Sequence, residues 1–373
     1  MIAFSPKSRL QECGEKLTGG ANSLDEFSLG KHRVPKSCLP QEDETMICIS
    51  TYSRLFKSIA ITMLVAGLSA IQAQTPAGQK RPATVPKDYA ITPFGYFHPS
   101  CISHLSKGDA VHKDEAAIRH ANGTSDNIPV CVYPHYKADG EKIIGDERAV
   151  TGNERVANHL GKQPAINGWV ESASTSTNSS YGYLYASWSV PPAPSTNDGQ
   201  VVFFFPGLED YNDTVTIVQP VLGWNSDYAS AWGIASWNCC ASGTVFEAAP
   251  VPVNSGDTIV GYMYPTCGSG TQSCSSWDIV TIDETSGNLS QLLNTSSQGQ
   301  TFNWAFGGVL EAYGIQQCGD YPSSGDISFG DLLLADYNFY IVNPSWSVNG
   351  PSSGATPQCG YGGSLPQEVT LNF

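Results

Sequence analysis

No Lys, Arg or His follows Lys162, so any chemistry in residues 163–373 has to come from carboxylates, amides and hydroxyls. Without histidine this stretch cannot build a Ser-His-Asp or Cys-His site, and three-His metal sites are excluded. Nucleic acid is excluded as a partner, because nothing there neutralises phosphates. One of its 17 carboxylates, Glu311, sits between Leu310 and Ala312 in an apolar, strand-like run. A buried carboxyl there is costly unless paired or protonated, which invites a functional explanation. As carboxylate it can activate water for attack on a carbonyl, and as acid it can protonate a leaving amine. The reference Glu pKa of about 4.3 leaves a useful fraction ionised in moderate acid. Such chemistry needs neither a metal nor an organic cofactor.

The same composition names a working condition. High salt is met by crowding a surface with acids, whereas this stretch is poor in charge of both signs. Below about pH 4 most carboxylates are protonated, and Lys, Arg and His carry the charge whose repulsion unfolds ordinary proteins. A domain without them approaches zero charge there, so residues 163–373 read as built for acid. Aspartic peptidases work in that range but need two Asp-Thr/Ser-Gly turns. The nearest strings, Glu284-Thr-Ser-Gly287 and Asn254-Ser-Gly-Asp257, do not repeat and do not present the Asp.

The elements that must hold such a site are organised in four parts. Residues 54–73 have the order of a secretory signal: Arg54 and Lys57, a mostly apolar Ile59–Ala70, and a cleavage site after Ala73. The apolar stretch is too short for a membrane span. Translation is therefore expected to begin at Met46, with 1–45 an extension and 46–73 the signal. Residues 74–163 hold 11 Lys and Arg, 10 Asp and Glu and six His, and read as a propeptide. Lys162 marks a candidate cleavage point. On acidification its histidines charge while the partner's carboxylates neutralise, so attraction is expected to give way to release. A short helix is expected over 114–121.

Residues 164–373 read as one all-β domain, an antiparallel β-sandwich. Candidate strands run Tyr183–Val190, Val201–Phe205, Thr216–Leu222, Ala231–Trp237, Thr258–Met263, Trp277–Ile282 and Phe302–Tyr313, with Gly, Pro, Asn and Asp between them. Eight cysteines follow Ala73, an even number that suits an oxidising compartment. Cys101–Cys131, Cys267–Cys274 and Cys318–Cys359 are candidate pairs, and the vicinal Cys239-Cys240 has no obvious assignment. Asn-x-Ser/Thr sites at Asn122, Asn178, Asn212, Asn288 and Asn294 agree with a secreted protein.

From about Trp169 to Asp320 the chain resembles the glutamic peptidases called eqolisins, acid proteases with a Gln/Glu dyad on a β-sandwich. The family's Trp-Val-Gly-Ile-Asp-Gly and Ile-Leu-Gln segments are matched by Phe205-Pro-Gly-Leu-Glu-Asp210 and Ile217-Val-Gln219, without a gap between the shared Gly and the Gln. Gly256-Asp-Thr-Ile259 echoes a Gly-Asp-Ser-Ile strand entry. Asn303-Trp-Ala-Phe-Gly-Gly-Val-Leu-Glu311 resembles the segment that ends in the catalytic Glu. Carried over by position, Gln219 and Glu311 become the dyad, with Gln219 positioning water and donating to the oxyanion. Glu209 and Asp227 become supporting groups, and Trp232 and Trp304 candidate walls of the cleft. Phe205 replaces the motif Trp, Glu209 replaces its Asp, and Ala231–Trp237 lacks an expected Glu.

The resemblance implies a secreted, monomeric acid endopeptidase made as a zymogen, with polypeptide substrates and its own propeptide as partners. Two other readings remain open from the sequence. One is a non-catalytic sandwich that binds glycans through exposed aromatics. The other is an acid glycosidase using two carboxylates, Glu209 and Glu311.

Overall fold

The computed structural model describes residues 38–39, 47–48, 81–112, 117–128, 130–143, 166–212, 216–239, 243–268, 273–350, 357–365 and 368–373. The expected signal segment, Lys162 and Cys240 lie outside them. A hairpin of β1 (Cys38–Leu39) and β2 (Ile47–Cys48) belongs to a unit of its own, Met1–Ser69. The second unit is Ala70–Phe373.

Its N-terminal part is a chain of short strands: β3 (Ala90–Thr92), β4 (Gly95–Phe97), β5 (Ile102–Leu105), β6 (Ala110–His112), β7 (Ala117–Arg119), β8 (Ser125–Asn127), β9 (His135–Tyr136) and β10 (Lys142–Ile143). The helix expected over 114–121 is not formed where the chain is described. Ala117–Arg119 is instead a strand against Ala110–His112, because pairing with an existing sheet edge outweighs weak helix propensity.

The rest is a two-sheet sandwich. Its strands are β11 (Ile166–Ser176), β12 (Tyr181–Ser189), β13 (Val201–Glu209), β14 (Ile217–Trp224), β15 (Trp232–Cys239), β16 (Val245–Ala248), β17 (Val251–Val253), β18 (Thr258–Pro265), β19 (Ser276–Asp283), β20 (Asn288–Ser296), β21 (Trp304–Ile315), β22 (Asp326–Asp336), β23 (Ile341–Val342), β24 (Ser347–Asn349), β25 (Gly362–Ser364) and β26 (Val369–Asn372). The first sheet has the order β24-β11-β21-β13-β14-β15-β16, and the second β25-β26-β22-β12-β18-β19-β20. Pairing among these sandwich strands is antiparallel.

Alternation decides what each face holds. Phe204, Leu222 and Trp232 of the first sheet meet Trp188, Ile259 and Phe329 of the second. Leu208 and Val218 meet Leu184, Met263 and Trp277 further along the same interior. The opposite face of the first sheet is also apolar, with Trp169, Phe203, Phe205, Trp237, Trp304 and Phe306. It is covered by Tyr89, Tyr96, Phe97 and Ile102 of the N-terminal part.

That part also extends both sheets, since β5 adds parallel to β16 and β6 adds parallel to β20. Cys101–Cys131 ties its two halves together, and Cys267–Cys274 and Cys318–Cys359 form as the spacing suggested. Cys239 is disulfide-bonded as well.

Candidate active site

The covered face of the first sheet gathers most of the residues that the sequence singled out. On β14, Gln219 lies between Ile217 and Val221, both on that face. Gln219 is fully buried, and neither its amide nitrogen nor its amide oxygen has a hydrogen-bond partner among the described residues. An unpaired buried polar atom costs roughly 1–3 kcal/mol, so this side chain is held at a loss.

Glu209, also fully buried, ends β13 on the same face; its Cα partners are Ile217 on β14 and Trp304 on β21. Gln219 is thus diagonal to Glu209 across adjacent strands, a relation of about 7–8 Å that long side chains bridge. Trp304 stands beside this pair, edge-on to Tyr211 at 5.2 Å.

Glu311 shares the face but not the neighbourhood. Its Cα partners are Trp169 and Phe203, and the Tyr313 hydroxyl donates to its Oε1 at 2.5 Å. The register puts Gly207, the residue opposite Gln219, against Phe306, with an irregularity between Phe205 and Gly207. Glu311 is therefore two strands across and about four residues along from Gln219, roughly 16 Å on an unrolled sheet. Phe205 and its partner Val309 occupy the row between them. On this register the carried-over pair is not adjacent, and the carboxylate diagonal to Gln219 is Glu209. The same register separates Glu209 from Glu311 by about 20 Å. A carboxylate pair for glycoside hydrolysis needs about 5–9.5 Å, which this register does not favour for these two residues.

Asp227 reaches the face by way of a loop. After β14 the chain turns back over Gly223 and Gly233, where an added Cβ would stand 2.3 Å from Ser226 Oγ and 2.7 Å from the Tyr228 ring. Only glycine lets the loop lie so close. Ser226 Oγ donates to Asp227 Oδ2 at 2.9 Å. Burial, followed by the charge of Glu247, pushes Asp227 well above the usual carboxylate range. Glu247 is itself pushed up to about 7 by burial.

Glu247 is the residue that sequence reading missed. It stands in Val245–Ala248, a short run with no turn signals of its own, opposite Trp237. Its odd position in the alternation was the available signal. Trp232 is corrected in the other direction: it belongs to the interior between the sheets, against Trp224 and Phe204, and not to this face.

The β3–β4 hairpin lies over both halves of the site. Phe94 meets Trp237, the Cα partner of Gln219, at 6.2 Å. Tyr96 meets Tyr313, the hydrogen-bond donor to Glu311, at 5.5 Å. The Arg81 guanidinium sits 5.0 Å above the Tyr96 ring. Among the described residues no group of three or more His, Cys, Asp or Glu is placed to hold a metal ion.

No family model matches the sequence, and neither does any curated protein. Among solved structures, a scytalidoglutamic peptidase bound to a peptide-based transition-state analogue has a TM-score of 0.41 at 14% identity, over 56% of this chain and 99% of that one. The eqolisin SCP-B in complex with the tripeptide Ala-Ile-His gives 0.40 and 14%, over 56% and 99%. The aspergilloglutamic peptidase of Aspergillus niger gives 0.31 and 10%, over 46% and 98%. Values this low describe a distant similarity and carry no argument about activity. The all-β sandwich stands on the strands themselves.

Proposed function

We propose that the covered face of the first sheet is the site of an acid-range endopeptidase, and that residues 74–163 are its propeptide. The observation that carries this is Gln219, whose amide is buried without a partner among the described residues and diagonal to Glu209. Glu209 takes the part of the base that activates water, and the Gln219 amide positions that water and donates to the oxyanion. Glu311, held by Tyr313, stands further along the cleft as a substrate-facing group. The resemblance in Ile217–Gln219 supports the part given to Gln219, whereas Glu209 as the base departs from the pair that the resemblance implies.

The covering supports it too. With the N-terminal part removed, Trp237, Trp304, Phe205 and their neighbours would form an exposed apolar patch of the size that marks a binding surface. Such a patch flanked by carboxylates suits a polypeptide. The signal-like order of residues 54–73 and the cystines support a place outside the cell, and the absence of bases after Lys162 suits acid.

The test is a time course at pH 3.5 with denatured casein and pepstatin. Wild-type protein is expected to cut after losing its N-terminal segment, and Gln219→Ala is expected to be inert while still folded. A wild type that stays acid-stable and cuts nothing overturns the reading and returns attention to glycan binding.

A further inference from the structure

The edge of the first sheet carries a second feature that the Gln219–Glu209 pair does not use. Strand β5 lies parallel on β16 in the register Val245–Ile102, Phe246–Ser103, Glu247–His104 and Ala248–Leu105. Alternation sends Leu105 into the interior between the sheets and Ile102 onto the covered face. His104 points the same way as Ile102, and its Nδ1 lies 2.6 Å from Glu247 Oε2. Glu247 is 1% exposed and also shares a side-chain hydrogen bond with Asp227. Asp227 is brought in by the loop over Gly223 and Gly233 and interacts with both Glu247 and His104.

The sandwich has no base with which to answer these two acids, because residues 163–373 contain none. The N-terminal part supplies one, as an imidazole on an added strand. A sheet edge offers unpaired backbone groups to any extended chain, and pockets for alternate side chains then give selectivity. We propose that the β16 edge, with Glu247 and Asp227, is a docking line for an extended polypeptide carrying a basic or imidazole side chain, a place that β5 and His104 hold in this structure. The peptide would lie parallel to β16 with its base two residues beyond an apolar residue, as His104 follows Ile102. This deepens the peptidase reading by naming a substrate feature, but docking itself does not require catalysis.

The experiment separates the two. Full-length protein with Ile102→Pro and His104→Ala loses the added strand, and Gln219→Ala in the same chain prevents cleavage of the probe. Hydrogen exchange at residues 245–248 is expected to rise, showing the edge open. A synthetic peptide spanning residues 99–107, with Ala for Cys101, is then added at pH 7. The expected result is restored protection at 245–248, with a Kd at least tenfold tighter than for the same peptide carrying Ala in place of His. Adding Glu247→Gln is expected to abolish that difference. Equal protection by both peptides, or none by either with the edge open, overturns the proposal. If the triple variant does not fold, His104→Ala with Gln219→Ala is used, and tenfold selectivity that disappears with Glu247→Gln is the same criterion. Loss of casein cleavage in an otherwise normal Gln219→Ala protein bears only on the peptidase reading.

Discussion

Gln219 is the residue where stability and function part company. Its amide is buried with no partner among the described residues, so replacing it with leucine removes two polar atoms unpaired there at similar volume. Gln219→Leu is expected to raise unfolding stability by about 1–3 kcal/mol, read by urea denaturation, while abolishing proteolysis. Unchanged stability with full activity would return it to an ordinary core position. Glu171 makes a second residue-scale case. It accepts from the Gly362 N–H at 2.8 Å, and burial pushes it up to about 8. A carboxyl raised in the folded state favours folding when protonated. Its contribution is fully present below the unfolded pKa of about 4.5 and is lost as pH rises toward 8, a span of roughly 5 kcal/mol. Thermal unfolding is thus expected at higher temperature at pH 4.5 than at pH 8, and Glu171→Gln is expected to flatten the difference.

Among the elements, the N-terminal strands carry titrating groups that pull in opposite directions. His135 on β9 stacks on Phe97 at 4.7 Å, and burial, helped by Lys137, depresses it to about 4. A histidine depressed in the docked state holds the segment above its free pKa of about 6.5, and that hold is lost as pH falls through 6.5 to 4. Glu247 and Asp227 have the reverse sign, since raised carboxyls favour docking as pH falls. His104, depressed by burial against the pull of Asp227, sides with His135. His135→Phe keeps the stacking and drops the titration. It is expected to slow acid-induced exposure of residues 81–143 in hydrogen exchange between pH 6.5 and 4. An unchanged exposure profile would remove His135 from the release.

Across the whole molecule, what was legible followed from alternation and composition. The runs at Val201–Phe205, Thr216–Leu222 and Phe302–Tyr313 show their strands because they are largely apolar on both faces and turn residues bracket them. That Glu209 shares a face with Gln219 was not legible, because the expected strand stopped at Phe205 and the shared face follows from the pairing of Glu209 with Ile217. The separation of Glu311 from Gln219 was not legible, since it depends on which residues pair across β13 and β21 and on the irregularity after Phe205. Glu247 was hidden because its strand is four residues long and its meaning comes from β15 and from the returning loop. The role of Ile102–Leu105 as the third neighbour along the Gln219 row, after Trp237 and Glu247, depends on a parallel pairing between distant segments. Local sequence carries no trace of such a pairing.

The central claim is that Glu209, rather than Glu311, works with Gln219. The most direct measurement is kcat/KM on a quenched-fluorescence peptide at pH 3.5 for Glu209→Gln and Glu311→Gln side by side, after acid activation and with folding checked by circular dichroism. Glu209→Gln is expected to lose at least a thousandfold, chiefly in kcat, and Glu311→Gln no more than about tenfold, chiefly in KM. Loss of all activity in Glu311→Gln, with Glu209→Gln still active, would contradict the account and restore the pair that the sequence resemblance implied.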